Sequence, residues 1–427
     1  MKYQPLPSHF YKKNRKTLNS RLLPDSLVLI ASNELVLWKG DQHYPFVQHP
    51  NFFYLTGLEE ANAILALCPS HPLADYREVL FVQPRNEHEA RWLGVKPFFE
   101  KLTEWSGIEH IDTMEKFPQF LKEVSSRVRH VYVDVDTFQP DSHCSQPNVK
   151  LFHQVKSLLP FHRFENIKPI ISELRLVKSD EEIEQIKHAI KITEQAVLDA
   201  IPFIHEGKYE YEIEAALMYS MFRQGADGYS FHPIVASGKN ATILHYFQNE
   251  SQLQQGDLLL LDVGASYGNY AADLTRTFPI SGQFTEKQLQ FYQVVVDTIE
   301  FTMPLFVPGN TIEKINQEVL SFMEEPLLKL GLIKKEELNH NPSPVRYYFM
   351  HGISHFVGLE VHDVGEKNIP FQPGMILTCE PGLYIDHENT GIRIENMLLI
   401  THDKPIILTS TLPIHPDEII HLMKKHS

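Results

Sequence analysis

Asp262, Asp273, His355, Glu380 and Glu395 are the residues of this chain whose types and settings could do chemistry. Each lies in a glycine-punctuated, otherwise apolar segment: LLLLDVGASYGNYAADLTRTF, HGISHFVGLEVHD, CEPGLYI and GIRIEN. A charged side chain in an apolar strand is costly unless it is paired or binds a metal. Four carboxylates drawn together repel one another unless they protonate or share a cation. Oxygen-rich sites with one imidazole suit hard or borderline divalent ions, and paired ions bridged by carboxylates recur in hydrolases. The spacing therefore predicts a two-metal site.

Two hairpins would assemble it. Asp262 and Asp273 lie an odd number of residues apart, with their midpoint between Tyr267 and Gly268. A reversal there predicts that they face each other, with Cβ atoms roughly 4.5–5.5 Å apart. Glu380 and Glu395 repeat the pattern about a midpoint between His387 and Glu388, in the turn-rich DHENTG. Arg393 and Glu395 share one side of their strand, and Ile392 and Ile394 face away. Arg393 reads equally as an ion pair holding the glutamate and as a substrate contact. With 23 histidines in the chain, any one has a bland reading: His245, in ILHY, and His362, in VHD, are as well explained as buried, satisfied rings. His351 and His355 have helical spacing, but Gly352 and Gly358 argue against a helix.

The elements that must position these residues fall into two domains, 1–172 and 173–427, as a chain of 427 residues suggests. The first reads as α/β, with short apolar strands at Ser26–Ala31, Ala63–Cys68, Glu78–Val82 and Val131–Val135 alternating with helices such as Met114–Val128. Asn166–Lys178 reads as a linker. Ser179, with Glu182 three positions on, opens a helix from Asp180 to Ala200. A second helix, Tyr209 to Gln224, stops at Gly225. Strands follow at His232–Ala236, Asp257–Gly264 and Tyr270–Phe278. Then come helices at Glu286–Leu305 and Ile312–Leu330, and a hairpin of Met375–Ile385 with Ile392–Ile400.

A hydrophobic fraction of 43% and a charged fraction of 22% are ordinary for a globular protein. The net charge of −15 disfavours nucleic acid and anionic membranes as partners. The basic run Lys12, Lys13, Arg15 and Lys16 reads as a solvated helix face. Cys68, Cys144 and Cys379 suggest neither a disulfide framework nor a thiolate zinc site. With no signal-like or membrane-spanning apolar run, the reading is cytoplasmic. The Asn-x-Ser/Thr triplets at Asn240 and Asn249 are then chance matches.

The segments FHPIVASG, ILHY, LLLLDVGASYGNYAADLTRTFPI, FMHGISHFVGLEVHDVG, PGMILTCEPGLYI and GIRIEN resemble the consecutive motifs of the pita-bread metallopeptidases. Within that group they are most similar to the aminopeptidase P subfamily, as are YPFVQHPNFFYLTGLEE and EARWLGVK in the first domain. The resemblance implies an α/β N-terminal domain followed by an α+β pita-bread catalytic domain with a curved antiparallel sheet. It implies that the first domain covers the cleft and makes oligomer contacts, in a dimer or tetramer. The implied activity is hydrolysis of the N-terminal Xaa-Pro bond of peptides with proline second, by a hydroxide held between two divalent ions. Mn²⁺ is the first choice of ion, with Co²⁺ or Zn²⁺ also compatible.

By the same resemblance Asp262, Asp273, His355, Glu380 and Glu395 are the metal ligands, and Glu380 also shuttles a proton to the leaving nitrogen. His351 and His362 hydrogen-bond the scissile carbonyl and the developing oxyanion. His245 lines the proline pocket, and Arg393 steadies a carboxylate or reaches the substrate. Two departures stand out: Cys379 occupies a position where an aliphatic residue is usual, and the Gly365–Pro373 connection is short. Alternation directs the Cys379 side chain away from Glu380 and into the core. An Xaa-Pro dipeptidase (prolidase) and a catalytically dead binding module on the same fold are the competing readings.

Overall fold

The computed structural model describes residues 3–85, 87–135, 146–338 and 342–426, and Cys144 lies outside them. The chain divides into two compact units, Gln4–Leu174 and the remainder from Arg175 onward together with Tyr3.

The first unit is built on a six-stranded mixed sheet: β1 (Ser26–Ala31), β2 (Ile64–Leu67), β3 (Glu78–Val82), β4 (His110–Thr113), β5 (His130–Val133) and β6 (Arg163–Asn166), in the order β4-β3-β2-β1-β5-β6. Every residue of central β1, SLVLIA, is buried, which is why it reads as a continuous apolar run rather than an alternation. Helices α1 (Ser8–Asn19), α2 (Phe117–Val124) and α3 (Pro147–Leu158) belong to this unit, and Phe117, Phe120, Leu121, Leu151 and Val155 pack into the core under Leu27, Leu29 and Phe81.

Two expectations need correction here. The segment read as a linker is a helix, α4 (Lys168–Leu176). Asn166 starts it by accepting a hydrogen bond from the Lys168 amide, and Ile167 and Ile171, one turn apart, are fully buried. Arg15 is not on a solvated face. Its guanidinium is buried against Glu78 at 2.8 Å and donates to the carbonyls of Leu55 and Ser106.

In the second unit the Ser179 capping box forms, with Ser179 and Glu182 exchanging hydrogen bonds at the head of α5 (Asp180–Ala200). Next come α6 (Glu210–Arg223), ended by Gly225 at φ +89°, and β7 (Ile234–Ser237). The chain then runs through β8 (Leu258–Val263), β9 (Ala265–Tyr267), β10 (Tyr270–Ala271) and β11 (Leu274–Pro279). After α7 (Glu286–Thr302) and α8 (Ile312–Lys329), the last hairpin comprises β12 (Ile376–Cys379), β13 (Gly382–Ile385), β14 (Thr390–Arg393) and β15 (Asn396–Leu399). The main core lies where α7 and α8 meet the apolar faces of β12 to β15, and Cys379, Ile392 and Ile394 are among its fully buried members. All these sheets are antiparallel.

Candidate metal centre

Both site-bearing hairpins are continuous in register but broken in their ladders, and the carboxylates occupy the breaks. In the second hairpin Gly382 pairs with Arg393 and Cys379 with Asn396, so Glu380 faces Glu395 as the spacing predicts. The first hairpin differs from its prediction. Its turn is Gly268-Asn269, both in the left-handed region at φ +57° and +66°, the geometry of a two-residue hairpin loop. That centre lies one residue beyond the predicted one. Asp262 therefore faces Thr275, and Asp273 is displaced two places along the same face. The ladder breaks at Gly264, where a Cβ would lie 1.9 Å from the Ala272 carbonyl oxygen, so the opposing backbone approaches as only glycine permits.

The displacement still delivers both aspartates to one place. Ligand-capable atoms of Asp273, His355 and Glu395 lie within 4.8 Å of one another. His355 Nε2 is 3.3 Å from Asp273 Oδ2 and 3.7 Å from Glu380 Oε1. Its Nδ1 donates to the Phe356 carbonyl at 3.1 Å, so in the neutral ring Nε2 turns a lone pair toward those carboxylates. His355 is held on no helix: its amide donates to Thr378 Oγ1 at 3.1 Å, and Phe356 bridges Leu377. Glu395 accepts from Thr275 Oγ1 at 2.7 Å.

Electrostatics mark the cluster as incomplete on its own. Burial, then the neighbouring charges of Asp262 and Glu380, pushes the Asp273 carboxyl well above its ordinary range. Burial, then Asp273 and Asp262, does the same to Glu395. Burial also raises Glu380, although His355 and Arg393 pull the other way. Asp262 Oδ1 is buried without a hydrogen-bond partner. Four carboxylates, one of them with an unpartnered buried oxygen, and an imidazole lone pair form a donor set that fits hard or borderline divalent cations.

Arg393 does not hold Glu395, as its place in the strand suggested. It donates to Asp262 Oδ2 at 2.6 Å, to Tyr384 Oη at 2.7 Å and to Thr275 Oγ1 at 3.2 Å. Tyr384 in turn donates to His351 Nε2 at 2.8 Å, while His351 Nδ1 donates to the Gly352 carbonyl at 2.7 Å. Burial, reinforced by the Arg393 charge, pushes His351 down to about 3, so this ring is neutral. The His362 ring stands edge-on to His355 at 4.3 Å between centroids, and burial and the neighbouring His355 lower it as well.

All nine residues singled out in the sequence line one cavity of about 600 Å³. Phe231, Leu244, Phe247, Val361 and Lys367 line it too, none of them foreseen. Thr275, Thr378 and Tyr384 were also missed. A signal existed for the two threonines, which lie two places from Asp273 and Glu380 and so share their faces.

Residues 184–402 match the family model described as metallopeptidase family M24, and residues 11–132 match that of the aminopeptidase P N-terminal domain. The chain is 32% identical to the Xaa-Pro aminopeptidase of Haemophilus influenzae, over 98% of each chain. It is 33% identical to the Escherichia coli Xaa-Pro aminopeptidase, over 97% of each. Zinc-substituted E. coli aminopeptidase P in complex with product superposes with a TM-score of 0.90 at 32% identity, over 99% of this chain and 100% of that one.

Proposed function

We propose, from the premise that this chain belongs to metallopeptidase family M24, that it is a metal-dependent aminopeptidase that removes the first residue from peptides with proline second. The observation that carries this reading is the gathering of Asp262, Asp273, His355, Glu380 and Glu395 in one cavity beside His245, His351, His362 and Arg393. We assign those first five as ligands of two divalent ions, Mn²⁺ before Co²⁺ or Zn²⁺. When bound, such ions supply Lewis acidity toward the scissile carbonyl and lower the pKa of water.

The remaining work belongs to side chains. An acidic centre attracts the free α-amine of the peptide and so limits cleavage to the first bond. Water adds across the carbonyl carbon and the C–N bond breaks. The proline nitrogen carries no hydrogen in the peptide and must gain one to leave. Glu380 takes that proton from the attacking water onto its carboxylate and delivers it to the nitrogen. His362 hydrogen-bonds the carbonyl oxygen as it becomes negative. His351 stands beside it in the pocket, where its Nε2 accepts from the Tyr384 hydroxyl and so keeps Tyr384 and Arg393 in line. Arg393 steadies Asp262, and His245 lines the proline pocket.

A homo-oligomer, dimer or tetramer, is part of the proposal, as is a cytoplasmic site of action without nucleic-acid or membrane partners. Among the described residues, no helix is long and apolar enough to cross a membrane. The test compares an Xaa-Pro-Yaa tripeptide with an Xaa-Pro dipeptide after manganese reconstitution. Turnover of the tripeptide that is lost in His355→Ala supports the proposal. Cleavage confined to the dipeptide would make the enzyme a prolidase, and no cleavage of either would leave the binding-module reading.

A further inference from the structure

Glu210 is a fully buried carboxylate that lies outside the metal centre and takes its hydrogen bonds, among the described residues, from uncharged donors. It stands in the first turn of α6 and accepts five hydrogen bonds. Oε1 receives the Ser237 amide and hydroxyl, both at 2.7 Å, and Asn240 Nδ2 at 3.0 Å. Oε2 receives Tyr246 Oη at 2.8 Å and the Ser251 amide at 2.9 Å. Its own amide donates to the Ser251 carbonyl. All five donors come from residues 237–251, which run from the last residue of β7 through a 3-10 turn at Gly238–Thr242 into a loop. One turn further along α6, Glu214 accepts from Asn249 Nδ2 at 2.9 Å, and the Asn249 carboxamide is also tied to the Val235 amide and the Pro233 carbonyl. Asn240 and Asn249, which headed glycosylation-like triplets in the sequence, are thus internal struts.

This segment forms a wall of the site. Leu244, His245 and Phe247 line the cavity, while Tyr246 turns the other way, into a small core with Ile234, Leu260 and Tyr384. The His245 and Phe247 rings lie 6.1 Å apart, and His232 meets Phe247 at 5.7 Å. A loop wall of this kind has no ladder of its own to fix it. A charge-assisted bond to a buried hydroxyl is stronger and more directional than a neutral one.

We propose that Glu210 is a positioning residue: through Tyr246 and the 237–251 segment it fixes the His245 ring, and with it the shape of the substrate pocket. This rests on the aminopeptidase reading for its kinetic consequence but not for its structural one.

The test uses Glu210→Gln and Tyr246→Phe in the full chain, each alone and combined with His245→Ala. Tyr246→Phe removes one hydrogen bond and keeps the ring, so it reports even where Glu210→Gln prevents folding. Each variant is expected to raise KM for an Xaa-Pro tripeptide about tenfold, the size of one lost charge-assisted bond, with kcat within about twofold. In the His245→Ala background the effect shrinks below about threefold, because the group being positioned is gone. An undiminished effect there, or a fall in kcat at constant KM, overturns the proposal.

A second readout needs no turnover. The His245 ring resonance of histidine-labelled, metal-free protein, identified by its loss in His245→Ala, should shift or broaden in Tyr246→Phe. A resonance that stays in place overturns the positioning role. If the wild type cleaves no Xaa-Pro peptide, the proposed function falls, and this spectrum still decides what Glu210 does.

Discussion

The side chains of Asp363 and Glu395 are both buried in the same unit, but their surroundings compensate that burial in opposite ways. Asp363 pairs with Arg175 and, at 3.0 Å, with Lys178, both nearly inaccessible to solvent, and Arg175 also reaches Glu360 at 2.9 Å. Burial alone would raise the Asp363 carboxyl, yet the two cations hold it below its ordinary range. Glu395 has Thr275 as a neutral donor and three other carboxylates as company, with Arg393 committed to Asp262. One cluster is balanced by the protein itself. The other gathers four carboxylates around one imidazole and one arginine, a surplus of negative charge that a bound cation would offset. Buried charge marks a binding site when the protein withholds the counter-charge.

The sharpest way to break the balanced cluster is Asp363→Ala, which removes the carboxylate that two buried cations, Arg175 and Lys178, share. It should cost about 3–5 kcal/mol of stability in denaturant melts, and a loss below about 1 kcal/mol would contradict the pairing. Glu395→Gln should do the reverse. It removes a charge from the overloaded cluster without changing its shape, so the metal-free protein should be at least as stable as wild type. Activity should nonetheless fall roughly a thousandfold. Chelation of the wild type should lower stability by about 2.7 kcal/mol where free metal had stood at a hundred times its Kd, and leave Glu395→Gln unmoved.

The two clusters should also respond to pH with opposite sign. Asp363, with a depressed folded pKa, contributes stability above its ordinary value of 3.8 that is lost as pH falls through the lower folded value. Asp273 and Glu395 are raised in the folded, metal-free state. Their protonated forms favour folding below their ordinary values of 3.8 and 4.5, and that contribution is lost as pH rises through the raised folded values. Metal-free wild type should therefore lose stability on going from pH 5 to 8 more steeply than metal-free Glu395→Gln. Parallel slopes would contradict the comparison. The smallest effect belongs to Cys379→Ala, about 1 kcal/mol for a small core void, with metal affinity unchanged.

The gathering of the five candidate residues was legible because charged residues interrupting apolar strands are conspicuous, and the Glu380–Glu395 register because the intervening loop is symmetric about its midpoint. The sequence misplaced the Asp262–Asp273 turn centre by one residue, and with it the register by two. The turn there is set by which residues accept positive φ, and GASYGNYAA offers several centres. Arg393 was placed on the correct side of its strand, but its partner was not legible, since Asp262 comes from a strand more than a hundred residues away. Helix α4 was read as a linker because its apolar face is short and its Asn166 start signal was overlooked. Glu210 gave no signal at all, because an acidic residue in the first turn of a helix is what capping alone would produce.

Anomalous diffraction at the manganese edge, from crystals of the wild-type chain grown with manganese, tests the central claim most directly. The account predicts two peaks per chain, both within coordination distance of oxygens from Asp262, Asp273, Glu380 and Glu395, with His355 Nε2 on one of them. Crystals that show no density among these side chains, with the carboxylates turned apart, would contradict it.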